Sequence, residues 1–269
     1  MRPETSSRFD SAGWPGKDRH ATKLSIIPEG KADDDIADLS RTARTDQPDI
    51  VRWYLLYRKA FPWAGITCPA EAVRLPAVAK WVKKHGYAID VRSSDELTLA
   101  ISAGIPPARI VMHDSGATAG PIRRAVNVGV GRFVIGSSQQ IAVLASCAQR
   151  PQRVLIDVTT DQAHDAVNAV LARNRLNLIG LHFRLVPEAA QTASYADVVG
   201  RMIAQMAQVR RDHGVILTRG SLAGGSGHSG WTHGAIDLPE LAAAIEDAFD
   251  HDCARYRFPR PALVLAPLL

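Results

Sequence analysis

The chain has 269 residues, 46% of them hydrophobic, enough to bury one large core or one core plus an appendage. A formal charge of +5 is mildly basic, but the cations are scattered among 27 acids with no dense stripe interleaved with aromatics. A solvated, mixed-charge surface accounts for that balance, and a nucleic-acid partner is not expected. Cys68, Cys147 and Cys253 are far apart and odd in number, which argues against a disulfide framework or structural zinc and for a reducing cytoplasm. Met1 to Gly16 lacks the apolar segment of a signal peptide, and no run approaches membrane-spanning length, so a soluble protein is expected.

In chain order, residues 1–48 read as a flexible leader, rich in Ser, Thr, Pro, Gly and charge. Asp33-Asp34-Asp35 is a local acidic cluster, and one short helix is expected around Asp34–Arg44. An inserted or mis-started segment is the alternative. From residue 49 a barrel domain is expected to run to residue 269. Short β-rich runs fall at Val51–Tyr57, Tyr87–Val91, Arg109–Met112, Arg132–Ile135, Arg153–Val158, Asn177–Phe183, Val215–Leu222 and Ala262–Leu265. Helix-period stretches lie between them at Val73–His85, Asp95–Ala103, Ala119–Val128, Gln139–Ala148, Asp161–Arg173, Ala196–His213 and Leu238–His251. Ser94 and Asp161 read as N-caps, and Gly86, Gly104 and Gly129 as helix stops. Strict alternation requires parallel strands, and eight of them suggest a closed (β/α)8 barrel of the TIM type. A doubly wound open sheet is the rival, but the glycine-rich phosphate turn expected after its first strand is absent.

On this reading Lys59 stands at the carboxyl end of the first strand, the barrel face that carries chemistry. A lysine there can anchor an aldehyde cofactor as a Schiff base. An exposed lysine at a strand end is the plainer alternative. After the seventh strand, Gly224, Gly225 and Gly227 form a run whose backbone amides can cradle a phosphate, or simply a surface loop. His228 and His233 flank Gly230-Trp231, too little for a zinc site, and no metal is expected.

Several segments occur in an order that resembles the barrel domain of fold-type III pyridoxal-phosphate decarboxylases, the diaminopimelate and ornithine decarboxylase group. They are Lys59-Ala60-Phe61, Asp90 to Leu97, Ala103 to Ile110, and Gly180-Leu181-His182-Phe183. The resemblance covers about residues 50–267. It implies an alanine racemase-like barrel, pyridoxal 5'-phosphate as cofactor, and Lys59 as the internal-aldimine lysine, with an insertion at about residues 62–73. It further implies cofactor contacts from His113, His182, Gly224, Gly225 and Gly227, an amino-acid substrate, a homodimer, and a cytoplasmic place in lysine biosynthesis.

Three departures stand out. The family's second, ring-stacking histidine is Arg184 here, which can stack through its guanidinium or pair with phosphate. Ala266 stands where the family's glutamate meets the pyridine nitrogen, and a barrel without the family's C-terminal β-domain is expected. The expected function is a decarboxylase-like protein. The alternatives are a single-domain barrel that binds the cofactor without decarboxylating, and a degenerate barrel without cofactor.

Overall fold

The computed structural model describes residues 48–113, 119–158, 163–184, 192–224 and 237–267. The expected leader, the cap at Asp161, Gly225, Gly227 and both loop histidines lie outside these residues.

The first element corrects the sequence reading. Residues 48–60 form a helix, α1 (Pro48–Ala60), not a strand. Its aromatic residues favour a strand by propensity alone, but Tyr54, Tyr57 and Phe61 recur at helical spacing and are all buried. The Tyr54 hydroxyl donates to the Ile66 carbonyl at 3.0 Å, and its ring meets Trp81 and Tyr87 edge-on. Burying three aromatic rings contributes several kcal/mol in all, more than the strand propensity they give up.

The true first strand is β1 (Gly65–Pro69), followed by a 3-10 turn over Ala70–Arg74. The chain then alternates through α2 (Pro76–His85), β2 (Ala88–Val91), α3 (Ser94–Ser102), β3 (Ile110–His113), α4 (Ala119–Val128) and β4 (Arg132–Ile135). It continues with α5 (Ser138–Cys147), β5 (Gln152–Asp157), α6 (Ala163–Leu171) and β6 (Leu176–Arg184). The last elements are α7 (Thr192–His213), β7 (Arg219–Gly224), α8 (Leu238–Tyr256) and β8 (Ala262–Pro267). All eight strands pair in parallel in sequence order, and β1 meets β8, so the sheet closes into the TIM-type barrel that the alternation implied. The open-sheet alternative is excluded.

Local chemistry sets the element ends. Ser93, one residue before the expected Ser94, caps α3 by accepting the Glu96 N–H, while the Glu96 carboxylate accepts the Arg92 N–H. Ser137 and Gln140 make a complete capping box on α5. Gly86 leaves α2 at φ +76°, a left-handed conformation that a side chain would strain.

Outward strand residues such as Ile89, Met112, Phe133 and Ile156 pack beneath the helices as the main core. Inward, Val111, Val134 and Leu155 form a smaller apolar cluster. At Gly180 the β5–β6 register shifts, and a Cβ there would sit 1.9 Å from the Arg219 carbonyl oxygen. Only glycine permits that approach. The seam between β1 and β8 carries the pairs Gly65↔Val264 and Ile66↔Leu265, whereas β7 and β8 pair from Arg219↔Ala262 through Gly224↔Pro267.

Candidate functional site at the barrel mouth

Alternation along each strand turns Thr67, Asp90, His113 and Ser221 into the barrel, where they line a cavity with Arg132, Arg219 and apolar side chains. The cavity is only about 10 Å³, room for about one water, so anything larger must rest above it, on the carboxyl-terminal mouth.

The buried polar groups are linked. The Thr67 hydroxyl donates to Asp90 Oδ2, and Asp90 Oδ1 lies 3.2 Å from His113 Nε2. The His113 ring stands edge-on to that of His182, with centroids 5.0 Å apart. His182 Nδ1 shares a 2.9 Å hydrogen bond with the Ser221 hydroxyl. The 3.2 Å contact falls outside hydrogen-bond geometry, so Asp90 Oδ1 and His113 Nε2 have no formal partner among the described residues.

Burial opposes ionisation of Asp90. The facing His113 and the Thr67 hydroxyl outweigh it and hold the carboxyl below its ordinary range. His182 goes the other way. Burial first, and then the neighbouring His113, push it down to about 3, so its ring is neutral at physiological pH. His182 Nε2 is buried and has no hydrogen-bond partner among the described residues.

Above this layer sits charge. Arg184, the last residue of β6, pairs with Asp157, the last of β5, at 3.3 Å. Arg92, just past β2, is half-buried, and burial together with the nearby Arg184 lowers its affinity for a proton. Glu71 and Glu96 lie within electrostatic reach of Arg92. Burial raises Glu96 above the ordinary carboxylate range. Two guanidiniums on one rim make a seat for an anion with bidentate donors.

The predicted site residues separate into three groups. His113, His182 and Arg184 come together at the mouth, the first two directly and the third on the rim beside Asp157. Gly224 closes β7 there, while its expected companions Gly225 and Gly227 lie outside the described residues. Lys59 is displaced. It is an exposed residue in the last turn of α1, and α1 leads into the amino-terminal end of β1, so Lys59 does not follow that strand. The misreading has one physical source: the aromatic run was counted as the first strand, which moved the strand end onto the lysine. Asp90, Thr67, Ser221, Arg92 and Asp157 were not singled out. Asp90 and Arg92 lie inside the Asp90–Leu97 segment, but only the closed barrel turns Thr67 and Ser221 inward.

Known proteins resemble this chain in sequence and fold. The family model described as "Pyridoxal-dependent decarboxylase, pyridoxal binding domain" matches residues 47–170. The diaminopimelate decarboxylase of Actinosynnema pretiosum subsp. auranticum is 30% identical over 237 residues, covering 78% of this chain and 53% of that protein. The Zymomonas mobilis enzyme of the same name is 45% identical over 97 residues, 34% of this chain and 23% of its own. The chain thus spans about half the length, or less, of these curated relatives. In solved structures the fold matches diaminopimelate decarboxylase from M. jannaschi with a TM-score of 0.70 at 17% identity, over 86% of this chain and 62% of that one. The Helicobacter pylori diaminopimelate decarboxylase complexed with L-lysine gives 0.67 at 19%, over 87% and 66%. At those identities the structures establish the fold alone.

The mouth fits pyridoxal phosphate in part. Arg92 and Arg184 suit a phosphate, and the orphan Nε2 of His182 suits a polar ring substituent. Ala266 on β8 is buried opposite Ala223, so no carboxylate from that position meets a ring nitrogen. After β1 come Ala70 and Glu71, neither of which carries an amine.

Proposed function

We propose that the chain is a divergent barrel domain of the pyridoxal-dependent decarboxylase kind, and that it seats pyridoxal 5'-phosphate at the carboxyl-terminal mouth in the service of amino-acid decarboxylation of the diaminopimelate type. The observation that carries the proposal is the paired polar layer of Thr67, Asp90, His113, His182 and Ser221 beneath the two rim arginines, in a barrel with this family's sequence signature. When bound, the cofactor supplies an electron sink that lets a carboxylate depart as carbon dioxide.

The residues divide the work. Arg92 and Arg184 meet phosphate charge through guanidinium N–H donors. Neutral His182 offers Nε2 to the ligand while Ser221 fixes its ring through Nδ1. Ionised Asp90, held by Thr67 and facing His113, keeps a fixed negative charge beneath the ligand. A backbone contribution from Gly224, Gly225 and Gly227 to the phosphate belongs to the same proposal. The substrate is an amino acid with a second amine, in keeping with the names of the relatives. A homodimer and cytoplasmic residence complete the reading.

The test is a titration of the full chain with pyridoxal phosphate, read by quenching of its tryptophan fluorescence. Binding with an affinity that drops at least tenfold in Arg184→Ala is expected, about 1.4 kcal/mol for one charge-assisted pair. Carbon dioxide release from meso-diaminopimelate, ornithine, lysine and arginine then ranks substrates. No binding to the wild-type chain would end the proposal.

A further inference from the structure

We infer that this barrel holds the cofactor reversibly, because no lysine among the described residues is placed to capture the aldehyde; the inference rests on the cofactor reading above and sharpens it. The chain has seven lysines. Lys17, Lys23 and Lys31 precede the described residues. Lys59 is on α1, and Lys80, Lys83 and Lys84 are on α2; all four are exposed on helices. No lysine occurs after Lys84, so none stands on β2 to β8 or in the connections among them, including those outside the described residues.

A Schiff-base lysine must reach the mouth, where His113, His182 and Arg184 gather. The residues entering that mouth from β1 are Pro69, Ala70 and Glu71. Ala70 is buried and has no functional group. Glu71 is exposed, and electrostatically it faces Arg92 and Glu96 on the rim. The one functional side chain at this strand end is therefore an anion, which repels a phosphorylated aldehyde and forms no imine with it. Retention falls to hydrogen bonds and charge, whose strength is finite and whose release needs no chemistry.

The full chain is loaded with pyridoxal phosphate, and one portion is dialysed while another is reduced with borohydride and weighed intact by mass spectrometry. Dialysis is expected to return the wild-type chain to its unloaded fluorescence, and reduction to leave no stoichiometric adduct. Glu71→Lys puts an amine on an exposed position of the rim and should turn the same experiment into a one-to-one adduct mapping to residue 71. A stoichiometric adduct on a native lysine, or on the chain's α-amino group, would overturn the inference and leave the cofactor reading standing. A Glu71→Lys chain that binds the cofactor and remains unmodified would overturn the assignment of this strand end to the cofactor's aldehyde. A wild-type chain that binds nothing would remove the cofactor reading and this inference together.

Discussion

The two ends of the barrel interior are built on opposite terms. Toward the carboxyl-terminal end, Thr67, Asp90, His113, His182 and Ser221 touch one another and hold acid, imidazole and hydroxyl together, with His182 Nε2 left without a hydrogen-bond partner among the described residues. Toward the amino-terminal end, Arg132 begins β4 and Arg219 begins β7, while Arg153 on β5 lies within electrostatic reach of Arg132. Burial lowers the proton affinity of both Arg132 and Arg219, and Arg132 is lowered further by Arg219. Arg219 Nη1 is buried with no partner among the described residues. Asp90, an acid within reach of Arg132, is already engaged by Thr67 and His113. One end therefore invests buried polarity in a site, and the other carries charge at a cost to stability. Active sites in this architecture form at the carboxyl-terminal end, and the contrast follows that division.

The largest way to break the contrast is at Gly180, where β6 passes from one half to the other. Gly180→Ala would drive a methyl group into the Arg219 carbonyl, and a loss of about 4 kcal/mol or more is expected, seen as collapse of the thermal transition. A variant that melts with the wild type would show that β6 can shift freely. Next comes Asp90→Asn, which removes the charge facing His113 and should cost roughly 3 kcal/mol in urea unfolding, the penalty for breaking a buried pair from one side.

Acid should act on the same half. The folded His182 titrates at about 3 against an ordinary 6.5, so between those values the unfolded chain takes up a proton that the folded chain refuses. Its contribution is complete above pH 6.5 and is lost as the pH falls toward 3. Asp90, lowered from 3.8, adds a loss of the same sign at still lower pH. Urea midpoints measured from about pH 7 down to about pH 4.5 should fall, and His182→Phe should flatten that slope. An unchanged slope in the variant would remove His182 as the titrating group.

The smallest expected effect has the opposite sign. Arg219→Met removes a cation whose Nη1 has no partner among the described residues while keeping a similar apolar stem, and should raise stability by about 1 kcal/mol at low salt. A destabilised variant would mean that Arg219 is compensated after all.

Most of the fold was legible in the sequence, because helix stops and period changes are local signals. Gly86, Gly104 and Gly129 all adopt the left-handed conformation assigned to helix ends, and the strand at Arg132–Ile135 matches its expected limits. The failure at β1 has a cause. Gly65-Ile66-Thr67-Cys68-Pro69 is short and contains glycine and proline, whereas the preceding helix is dense in aromatic residues. Composition favoured the wrong segment, and only the burial of Tyr54, Tyr57 and Phe61 on one helical face separates the two. Of the candidate site, the positions of His113, His182 and Arg184 at the ends of their strands were legible through motif order. Thr67 and Ser221 were not, since a lone hydroxyl in a strand carries no signal until closure gives it Asp90 or His182 as a neighbour.

The short ladder joining the first strand to the last has a dynamic consequence. Arg260 lies over both Trp63 and Phe249 at 5.3 Å and pairs with Asp250 at 2.8 Å, clamping the approach to that junction from outside. Deuterium should enter the amides of Ile66 and Leu265 sooner than those of β5 or β6, and sooner still when Arg260 is replaced by alanine. The cylinder would then breathe along a single line, and the strand that leads to Ala70 and Glu71 would be among the first to loosen.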